Sequence, residues 1–476
     1  MHPATPDLAL TAAPDRSRPA SPAKNLRPRP GDELTVTVDR LTYGGQGVAR
    51  AEGLAVFVQG AAPQETVRAK IRRTFRRHVE ADVVAVEQPS AHRIEPVCRH
   101  FRAGCGGCTW QHVAYPAQLT AKEAAVRDSL ERLGGFRDLP LRPILPAPQP
   151  FHYRNKMEFA FHPSGTLGLH PRDAWYDVLR VDECHIALPL TVTIVQAAQA
   201  FVTQRRLSLY HPRTRQGLLR ELCVRHTRAG RETLIGIITS DDAFPEAQAM
   251  AGHLAALDPS IKAVVRGMRS SADGAAPLTG TTVLWGDDHI TEATAGLKFH
   301  IGLATFFQTN SAQAERLVEL VKEHAGTVAS ELVIDIYCGV GLFSLALASL
   351  GARVIGVELA GPAVLAAREN ARANQITSAE FHAGDARKLL AEILPAGLSP
   401  KVLVLDPPRS GAGGKVMRRI GRAKPERIVY VSCNPTTLAR DLVELVPFGY
   451  KMTAVSPIDL FPQTYHVETV VALERT

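Results

Sequence analysis

The stretch Leu332-Val-Ile-Asp-Ile-Tyr-Cys-Gly-Val-Gly341 decides the fold. Its first six residues form a short apolar run that predicts a buried strand, and its last four supply a tight glycine-rich turn. A helix is expected directly after the turn, over 342–350, and a second strand over 354–358. The alternation continues to a strand that ends at Asp406. The sequence therefore predicts a doubly wound α/β sheet in this part of the chain.

The glycine-rich turn also predicts a cofactor site. A Gly-x-Gly turn between strand and helix lets the backbone approach a ligand, and Glu358, at the end of the next strand, can accept both ribose hydroxyls. These features suit NAD and S-adenosylmethionine alike. Because Asp335 precedes the turn and the full Gly-x-Gly-x-x-Gly pattern is missing, the methyl donor is favoured. Asp385, which ends another predicted strand, is a candidate for binding the adenine amino group, although a capping role fits it equally.

Two later strands end in residues that a methyl transfer needs. Asp406-Pro-Pro-Arg409 is similar to the Asp-Pro-Pro of amino methyltransferases, but Arg409 replaces the aromatic residue that would stack on a base, which favours a carbon target. In Arg427-Ile-Val-Tyr-Val-Ser-Cys-Asn-Pro435, an apolar strand runs into a sharp turn. Cys433 is therefore expected at the carboxyl end of that strand, where open α/β sheets present reactive groups. A lone cysteine there is ordinarily a buried structural thiol, so its role depends on its neighbours.

A cysteine supplies what a carbon target requires. Carbon 5 of a pyrimidine is a poor nucleophile, but a thiolate that adds to carbon 6 turns the ring into an enolate whose carbon 5 can attack a methylsulfonium. A base must then remove the hydrogen from carbon 5 so that the thiol can leave. Cys433 is the candidate nucleophile, and Glu468, in the predicted final strand, is the candidate base.

Length, composition and charge limit the class of protein. A chain of 476 residues is expected to form two to four domains. It has no run of about 18 apolar residues, as a transmembrane helix would need, and its first thirty residues lack the apolar segment of a signal peptide. We therefore expect a cytoplasmic protein with no membrane partner and a disordered tail over 1–30. The net charge of +8 favours a polyanionic partner.

The segment 31–90 shows short alternating strands separated by glycine-rich turns such as Tyr43-Gly-Gly-Gln-Gly47. Its basic run holds six cations and no acid: Arg68, Lys70, Arg72, Arg73, Arg76 and Arg77. This pattern predicts a small β-barrel of the oligonucleotide-binding (OB) type. The segment resembles a TRAM domain, an RNA-binding barrel, over nearly all of its length.

The cysteine pattern predicts a metal centre. Seven cysteines in a long chain without an export signal argue against a disulfide framework. Cys98, Cys105 and Cys108 lie within eleven residues, and the two glycines between the last pair let both thiolates converge. Zinc and an iron–sulfur cluster each take four ligands, so a fourth must come from elsewhere, and Cys184 is the best candidate. The spacing alone does not distinguish zinc from an iron–sulfur cluster.

A mixed α+β central domain is expected over 91–295, and it contains these cysteines. It also contains Tyr153-Arg-Asn-Lys156, whose cations beside aromatic residues suit phosphates and stacked bases, although an ordinary strand with polar edges fits equally. Beyond it, Thr305-Phe-Phe-Gln-Thr-Asn310 precedes a predicted helix, for which Asn310 or Ser311 is the expected amino-terminal cap.

Seven motifs are together similar to those of the S-adenosylmethionine-dependent RNA 5-methyluridine methyltransferases that carry an iron–sulfur cluster. In chain order they are Cys-Gly-Gly-Cys, Tyr-Arg-Asn-Lys, Phe-Phe-Gln-Thr-Asn, Asp-Ile-Tyr-Cys-Gly-Val-Gly, Leu-Asp-Pro-Pro-Arg-Ser-Gly, Ser-Cys-Asn-Pro and His-Val-Glu-Thr. The resemblance runs from the barrel to the carboxyl terminus. It implies a Rossmann-like methyltransferase domain over 296–476, with Cys433 as nucleophile and Glu468 as base.

The resemblance also implies the remaining site residues. The cofactor contacts would be Gln308, Tyr337, Glu358 and Asp406, and the ligands of a 4Fe–4S cluster, expected to be structural, would be Cys98, Cys105, Cys108 and Cys184. Two features depart from the family pattern. The spacing from Cys98 to Cys105 is slightly longer than expected, which would strain the cluster slightly, and Leu342 replaces a polar residue, which leaves a backbone contact to the cofactor.

The resemblance implies RNA as the partner, with a target uridine that must be unstacked. The barrel and the cluster together favour 23S ribosomal RNA, an expectation that rests on family analogy. One alternative is the same chemistry on a transfer RNA uridine, and another is a non-catalytic iron–sulfur RNA-binding protein. No obligate protein partner is expected.

Overall fold

The computed structural model describes residues 28–228, 231–271, 273–274, 276–393 and 399–476. Of the tail predicted over 1–30, residues 1–27 lie outside the described residues. Within the described ranges, no helix combines the length and the apolar character that crossing a membrane requires. The chain forms an amino-terminal barrel, a central mixed domain and a carboxyl-terminal α/β domain.

The amino-terminal unit is a closed barrel. Its strands are β1 (Glu33–Leu41), β2 (Gly47–Ala51), β3 (Leu54–Gln59), β4 (Thr66–Thr74) and β5 (His78–Gln88), in the order β1-β2-β3-β5-β4. Side chains alternate along β4, so that Ala69 and Ile71 lie in the barrel core while Arg68 and Lys70 lie on its surface. The predicted barrel is confirmed, and its basic strand faces outward.

The basic run divides into two parts. Arg68 and Arg72 are engaged, because they pair with acids on neighbouring strands, and Arg72 also contacts Asp173 of the central domain. Arg76 and Arg77, by contrast, are exposed at the tip of the β4–β5 hairpin. The hairpin tip is therefore the part of the run most open to a polyanion.

The central domain is built on a mixed sheet. Its helices are α1 (Arg99–Arg102), α2 (Tyr115–Asp128), which continues as a π-helical turn (Ser129–Leu133), α3 (Pro189–Arg205) and α4 (Ala247–Ala255). Its strands are β6 (Lys156–Phe161), β7 (Leu167–Leu169), β8 (Leu179–Arg180), β9 (Leu219–His226), β10 (Thr233–Thr239), β11 (Ile261–Met268) and β12 (Gly280–Gly286). Among the described residues, these seven strands pair in the order β12-β11-β10-β9-β6-β7-β8.

A two-stranded hairpin joins the central and carboxyl-terminal domains. It consists of β13 (His289–Thr294) and β14 (Leu297–Gly302). Ile290 and Phe299 of this hairpin share one apolar core with residues of both neighbouring sheets. The predicted limit between 295 and 296 falls inside the hairpin, and the domain limits stay predictions.

The carboxyl-terminal domain is the doubly wound sheet that the sequence predicts. Its strands are β15 (Leu332–Ile336), β16 (Arg353–Glu358), β17 (Ala379–Ala383), β18 (Val402–Leu405), β19 (Arg427–Ser432), β20 (Tyr450–Ile458) and β21 (Glu468–Arg475). Its helices are α5 (Ser311–Ala325), α6 (Leu342–Ala348), α7 (Gly361–Ala373), α8 (Ala386–Ile393), α9 (Gly414–Ala423) and α10 (Pro435–Val443). Asn310 caps α5, since its side chain accepts a hydrogen bond from the Gln313 amide.

The strand order β17-β16-β15-β18-β19-β21-β20 places the reactive edge of the sheet. The first five strands of this order run parallel, and β21 and β20 close the sheet with antiparallel pairs. All four residues of β18 are buried, as expected for a parallel strand covered by helices on both faces. The strand order reverses between the neighbouring strands β15 and β18, because the chain continues from β15 to β16 on one side and from β18 to β19 on the other. Ligands bind such sheets at this reversal.

A buried ion pair fixes the segment that connects β20 with β21. Lys122 Nζ, on α2, lies 2.5 Å from Asp459 Oδ1, and neither side chain is exposed. Tyr115 Oη donates a 2.9 Å hydrogen bond to the other carboxylate oxygen of Asp459. Burial lowers the pKa of the Lys122 ammonium, so the pair depends on its mutual attraction.

We expect Lys122→Met to lower the free energy of unfolding by about 3–5 kcal/mol, because it leaves the Asp459 carboxylate buried without its cation. Urea titration followed by circular dichroism measures this. The control is Arg142→Ala, which removes a partly exposed pair with Glu323 at 2.6 Å and should cost at most about 1 kcal/mol. Equal effects of the two variants would contradict the role of the buried pair.

Candidate active site

Strand pairing brings the two predicted reacting residues to one edge of the sheet. Ser432, the last residue of β19, pairs with Thr469 near the start of the antiparallel strand β21. Cys433 follows Ser432, and Glu468 precedes Thr469. The two are therefore adjacent positions on neighbouring strands, at the carboxyl edge of the parallel sheet.

The pocket around these residues is rich in carboxylates. Asp406 follows β18, the neighbour of β19. Glu468 is only 3% exposed, and its Oε1 lacks a hydrogen-bond partner among the described residues. Burial, together with the charge of Asp406, raises the pKa of Glu468 well above its usual range. Burial also raises the pKa of Asp406 to about 7. Both carboxyls are thus able to hold a proton near neutral pH.

The Cys433 thiol is partly exposed and interacts electrostatically with Glu468 and Asp406. Burial raises its pKa to about 12, with the carboxylates of Glu468 and Asp406 adding to the effect and Arg409 opposing it. In the protein alone the thiol is therefore protonated at neutral pH. A cation that enters the pocket would favour the thiolate.

Arg409 provides the positive charge of the pocket. Its carbonyl accepts hydrogen bonds from Asn434 Nδ2 (3.1 Å) and Thr437 Oγ1 (3.3 Å), which ties the Asp-Pro-Pro-Arg loop to the Cys433 loop. Its guanidinium Nη2 lies 2.6 Å from His466 Nε2. Burial, aided by Arg409, lowers the pKa of His466 to about 3, so the imidazole is neutral and accepts the hydrogen bond. His466 lies in the His-Val-Glu-Thr motif, but no role was predicted for it from the sequence.

The glycine-rich turn has the geometry of a cofactor site. Tyr337 adopts φ 66°, and Gly341 adopts φ 89°, where an added Cβ would also meet Phe381 at 3.3 Å. The Glu358 carboxylate accepts hydrogen bonds from the amides of Gly339 (3.1 Å) and Ala360 (2.9 Å). These hydrogen bonds hold the turn and the carboxylate together, and the contact of Glu358 with a ribose stays a prediction.

Asp335, below the turn, is fully buried and accepts a 2.6 Å hydrogen bond from Ser344 Oγ. Burial raises the pKa of its carboxyl group to about 7. Its other oxygen lacks a hydrogen-bond partner among the described residues. Asp335 thus adds a further acid beneath the site.

A cavity opens beside the turn, and Asp385 and Tyr337 line it together with Leu359 and Arg387. Leu359 is 72% exposed, so the cavity has an open apolar side chain against which a flat ligand can pack. The Asp385 carboxylate accepts hydrogen bonds from the Arg387 amide (2.8 Å) and guanidinium (3.0 Å from Nε), and Arg387 lowers its pKa to about 2. Asp385 is therefore an ionised acceptor that an adenine amino group would have to share with Arg387.

Gln308 lies buried in the loop before α5, held by the Tyr-Arg-Asn-Lys motif. Asn155 Nδ2 donates to the Gln308 carbonyl (3.1 Å) and to Ser311 Oγ (2.8 Å). Lys156 pairs with Glu158 at 2.8 Å. In the structure the asparagine of this motif is a buried connector between two domains, which favours the structural interpretation for that residue.

The four predicted metal ligands surround one cavity. Cys98, Cys105, Cys108 and Cys184 all line it, and all four are free thiols. The Gly107 amide donates to Cys105 Sγ (3.5 Å), and Gln111 Nε2 donates to Cys108 Sγ (3.2 Å). Burial raises the pKa of each thiol, that of Cys108 to about 12. The three buried thiols and the partly buried thiol of Cys184 suit a cationic centre that would ionise them.

The identity of a centre at these thiols stays a prediction. Among the described residues, no group of three or more His, Cys, Asp or Glu side chains is arranged to hold a single metal ion.

The barrel also contacts Cys433, the predicted nucleophile, which was not predicted from the sequence. Tyr43, in the turn between β1 and β2, donates a 3.2 Å hydrogen bond from its hydroxyl to the Cys433 carbonyl. Its ring meets Tyr465 edge-on, with 5.4 Å between centroids. The only signal in the sequence was a tyrosine next to the glycines of a turn, which does not indicate contact with a residue almost four hundred positions away.

Known proteins match this chain over nearly its whole length. Residues 287–476 match the family model described as tRNA (uracil-5-)-methyltransferase, and residues 27–84 match the TRAM domain model. An RNA methyltransferase of Caldanaerobacter subterraneus is 36% identical over 452 residues, which cover 94% of this chain and 99% of the relative. One of Gloeobacter violaceus is 37% identical over 470 residues, covering 96% and 99%.

A solved structure matches as well. The Pyrococcus abyssi tRNA (uracil-54, C5)-methyltransferase, in complex with S-adenosyl-L-homocysteine, is 26% identical and superposes with a TM-score of 0.73. The match covers 92% of this chain and 100% of that one. The arrangement of the barrel, the central domain and the doubly wound sheet is thus shared with a known enzyme.

We expect alkylation of Cys433 by iodoacetamide to keep accelerating with pH towards about 12, because burial and the nearby carboxylates raise the thiol pKa. Glu468→Gln removes a negative charge, so it should lower the thiol pKa and shift the whole profile to lower pH. Mass spectrometry of the Cys433 peptide measures the rate. The control is Glu444→Gln, whose carboxylate pairs with Arg418 at 2.6 Å and should leave the profile unchanged. A profile that Glu468→Gln leaves in place would contradict the coupling.

Proposed function

Since this chain belongs to the tRNA (uracil-5-)-methyltransferase family of RNA methyltransferases, we propose that it methylates carbon 5 of a specific uridine in RNA by covalent catalysis, with S-adenosylmethionine as donor. Cys433 is the proposed nucleophile and Glu468 the proposed base. The observation that carries the proposal is the pairing of Ser432 with Thr469. Because of this pairing, Cys433 and Glu468 lie at one edge of the sheet, and Asp406 follows the neighbouring strand.

The first step is the attack of the thiolate. Cys433 Sγ forms a bond to carbon 6, and the electrons of the ring double bond make carbon 5 nucleophilic. S-adenosylmethionine, when bound, would supply a sulfonium cation and the methyl group that bonds to carbon 5, with S-adenosylhomocysteine as the leaving group. The ionised Asp406 carboxylate, whose charge raises the pKa of the Cys433 thiol, would favour such a cation, and the cation would in turn favour the thiolate. The charge of Arg409 lowers the pKa of the thiol and so also favours the thiolate.

The second step is the removal of the proton from carbon 5. The Glu468 carboxylate accepts this proton, the ring double bond forms again between carbons 5 and 6, and the Cys433 thiolate leaves. The raised pKa of Glu468 suits a base that must hold a proton in a dry pocket. The buried Oε1 of its carboxylate lacks a hydrogen-bond partner among the described residues, and a bound substrate would supply one.

The proposed cofactor contacts surround the glycine-rich turn. Glu358 would bind the ribose, Asp385 the adenine amino group, and Tyr337 the adenine face, while Gln308 and Asp406 would lie nearer the methionine part. The cavity beside Tyr337 and Asp385 supports this placement. The bound S-adenosyl-L-homocysteine of the Pyrococcus abyssi enzyme supports a related cofactor here.

We further propose that the cysteine-lined cavity holds a 4Fe–4S cluster. Cys98, Cys105, Cys108 and Cys184 would be its ligands, and the amide donors on their sulfurs would stabilise the thiolates. Ile186, two residues after Cys184, accepts at its carbonyl a 2.9 Å hydrogen bond from the Arg154 amide, and the next residue, Asn155, donates to the Gln308 carbonyl. A centre there would therefore fix the central domain to the loop that carries Gln308.

The proposed RNA substrate is 23S ribosomal RNA, because the barrel and the cluster ligands occur together. A transfer RNA uridine is the second candidate, favoured by the Pyrococcus abyssi structure, whose enzyme acts on tRNA uracil-54. In either case the exposed tip of the β4–β5 hairpin, with Arg76 and Arg77, would bind backbone phosphates. Family membership favours an enzyme over the non-catalytic alternative.

We expect Cys433→Ala to abolish methyl transfer, a fall of more than about a thousandfold, while RNA binding persists. Glu468→Gln should still allow attack and methyl transfer but trap the protein on RNA as a covalent adduct, because the proton on carbon 5 stays. Radiolabelled methyl incorporation and denaturing gels measure these effects. Cys223→Ala, which removes a buried thiol of β9, is the matched control and should remain active.

The same assay distinguishes the substrates. Unmodified 23S ribosomal RNA and transfer RNA transcripts are offered separately, and nucleoside analysis identifies 5-methyluridine. Methylation of ribosomal RNA alone supports the first candidate, and methylation of transfer RNA alone supports the second. Methylated RNA from the Cys433→Ala variant would overturn the covalent mechanism.

We expect anaerobically purified protein to be brown and to contain iron and sulfide rather than zinc. Cys105→Ser should lose most of both, because one of four ligands is gone and the remaining buried thiols do not close the site. Metal analysis and visible absorbance measure this, with Cys223→Ser as the control that keeps the metal. Stoichiometric zinc in the wild-type protein would contradict the cluster.

A further inference from the structure

The segment that enters β21, residues 459–466, is held mainly by another domain. It ends two residues before Glu468, and its anchors lie in the loop after the Cys108 ligand and on α2. We propose that Thr109 and Gln118 are positioning residues for the base, acting through Gln463 and Tyr465. This inference rests on the proposed function, since it concerns the step that Glu468 carries out.

The first anchor is the loop that follows Cys108. The amides of Thr109 and Trp110 both donate to the Gln463 carbonyl, each at 2.9 Å. The hydroxyl of Thr109 accepts a 3.1 Å hydrogen bond from the Tyr465 amide. Three hydrogen bonds therefore join two adjacent residues of the central domain to the segment before the base.

The second anchor is Gln118, a fully buried residue of α2. It exchanges hydrogen bonds with Gln463: the Gln463 amide donates to Gln118 Oε1 (2.9 Å), and Gln118 Nε2 donates to Gln463 Oε1 (3.0 Å). Gln463 is itself 3% exposed and adopts φ 67°, a left-handed backbone that is uncommon for a residue with a side chain. Such a conformation persists only where the surroundings enforce it, and here both anchors do so.

The base depends on these anchors more than the nucleophile does. The Cys433 loop is fixed within its own domain by the Asn434–Arg409 hydrogen bond, and by Tyr43 from the barrel. The Glu468 carboxylate, in contrast, has an oxygen without a hydrogen-bond partner among the described residues, so its side chain is placed by the backbone that leads into β21. Loosening the anchors should therefore slow the removal of the proton more than the attack of the thiolate.

A particular signature follows from this difference. If attack and methyl transfer continue while proton removal slows, the covalent protein–RNA adduct lives longer and a larger fraction of the enzyme is trapped at steady state. A purely structural role for Thr109 would instead lower the amount of folded protein and leave the trapped fraction of the folded enzyme unchanged.

The test compares Thr109→Val with Thr109→Ser in the full-length protein. Valine matches the shape of threonine but cannot accept the hydrogen bond from the Tyr465 amide, whereas serine can. Thr109→Val should lower kcat about 3- to 10-fold, the effect of one buried hydrogen bond, and raise the fraction of adduct on denaturing gels. Thr109→Ser should match the wild type in both, and the Kd for RNA should stay within about twofold for all three proteins.

A second variant keeps the test decisive if Thr109→Val folds poorly. Gln463→Gly adopts the left-handed backbone without strain and keeps the carbonyl, but it loses the hydrogen bond from Gln118 to the side chain and gains freedom just before the base. It should show the same slower turnover and the same larger adduct fraction.

Several outcomes would overturn the inference. It fails if wild-type enzyme methylates RNA and both variants turn over at its rate, or if turnover falls without a rise in the adduct fraction. A wild-type enzyme that methylates no RNA in the same assay overturns the proposed function itself, and with it this inference. The two failures are therefore distinguishable in one experiment.

Discussion

The antiparallel pairing of β21 with β19 is the constraint on which the candidate site depends. In a purely parallel sheet, a strand that starts at the reactive edge cannot occur, because all strands end there. The reversed final strand begins at that edge, so the first residue of β21, Glu468, lies next to the residue that follows β19, Cys433. One hydrogen-bonded ladder thus sets the distance between the proposed nucleophile and the proposed base.

This placement carries an electrostatic cost. Glu468 and Asp406 lie close together in a buried pocket, and both raise the pKa of the neighbouring thiol. Arg409 opposes their effect on the thiol. Because His466 is neutral, it does not add a second positive charge beside Arg409. The protein alone is therefore poised against ionising Cys433. A cationic donor would change that balance, so the nucleophile would be activated when the donor is present.

The barrel, the central domain and the doubly wound domain meet at this same place. Tyr43 contacts the Cys433 loop, and Trp110 Nε1 donates a 2.9 Å hydrogen bond to the Gly45 carbonyl of the barrel. Trp110 also binds Gln463 through its amide, two residues from the Cys108 thiol. Only a few side chains therefore separate the RNA-binding barrel, the cysteine site and the edge of the sheet that carries Cys433. The residues that make these contacts are far apart in the sequence.

The sequence alone determined the kinds of elements and the candidate chemistry. The run that ends at Gly341 predicted a strand, a turn and a following helix, because apolar runs and glycines are local signals. The four cysteines were recognisable from their residue type. Only the tertiary structure decided which distant residues share a pocket. The contact of Asp385 with Arg387, two positions away, is local. That Cys433 lies next to Glu468, and that Tyr43 and Gln463 contact the loops of the candidate site, depend instead on strand register and domain packing, which follow from the free energy of burying the whole core rather than from any local pattern.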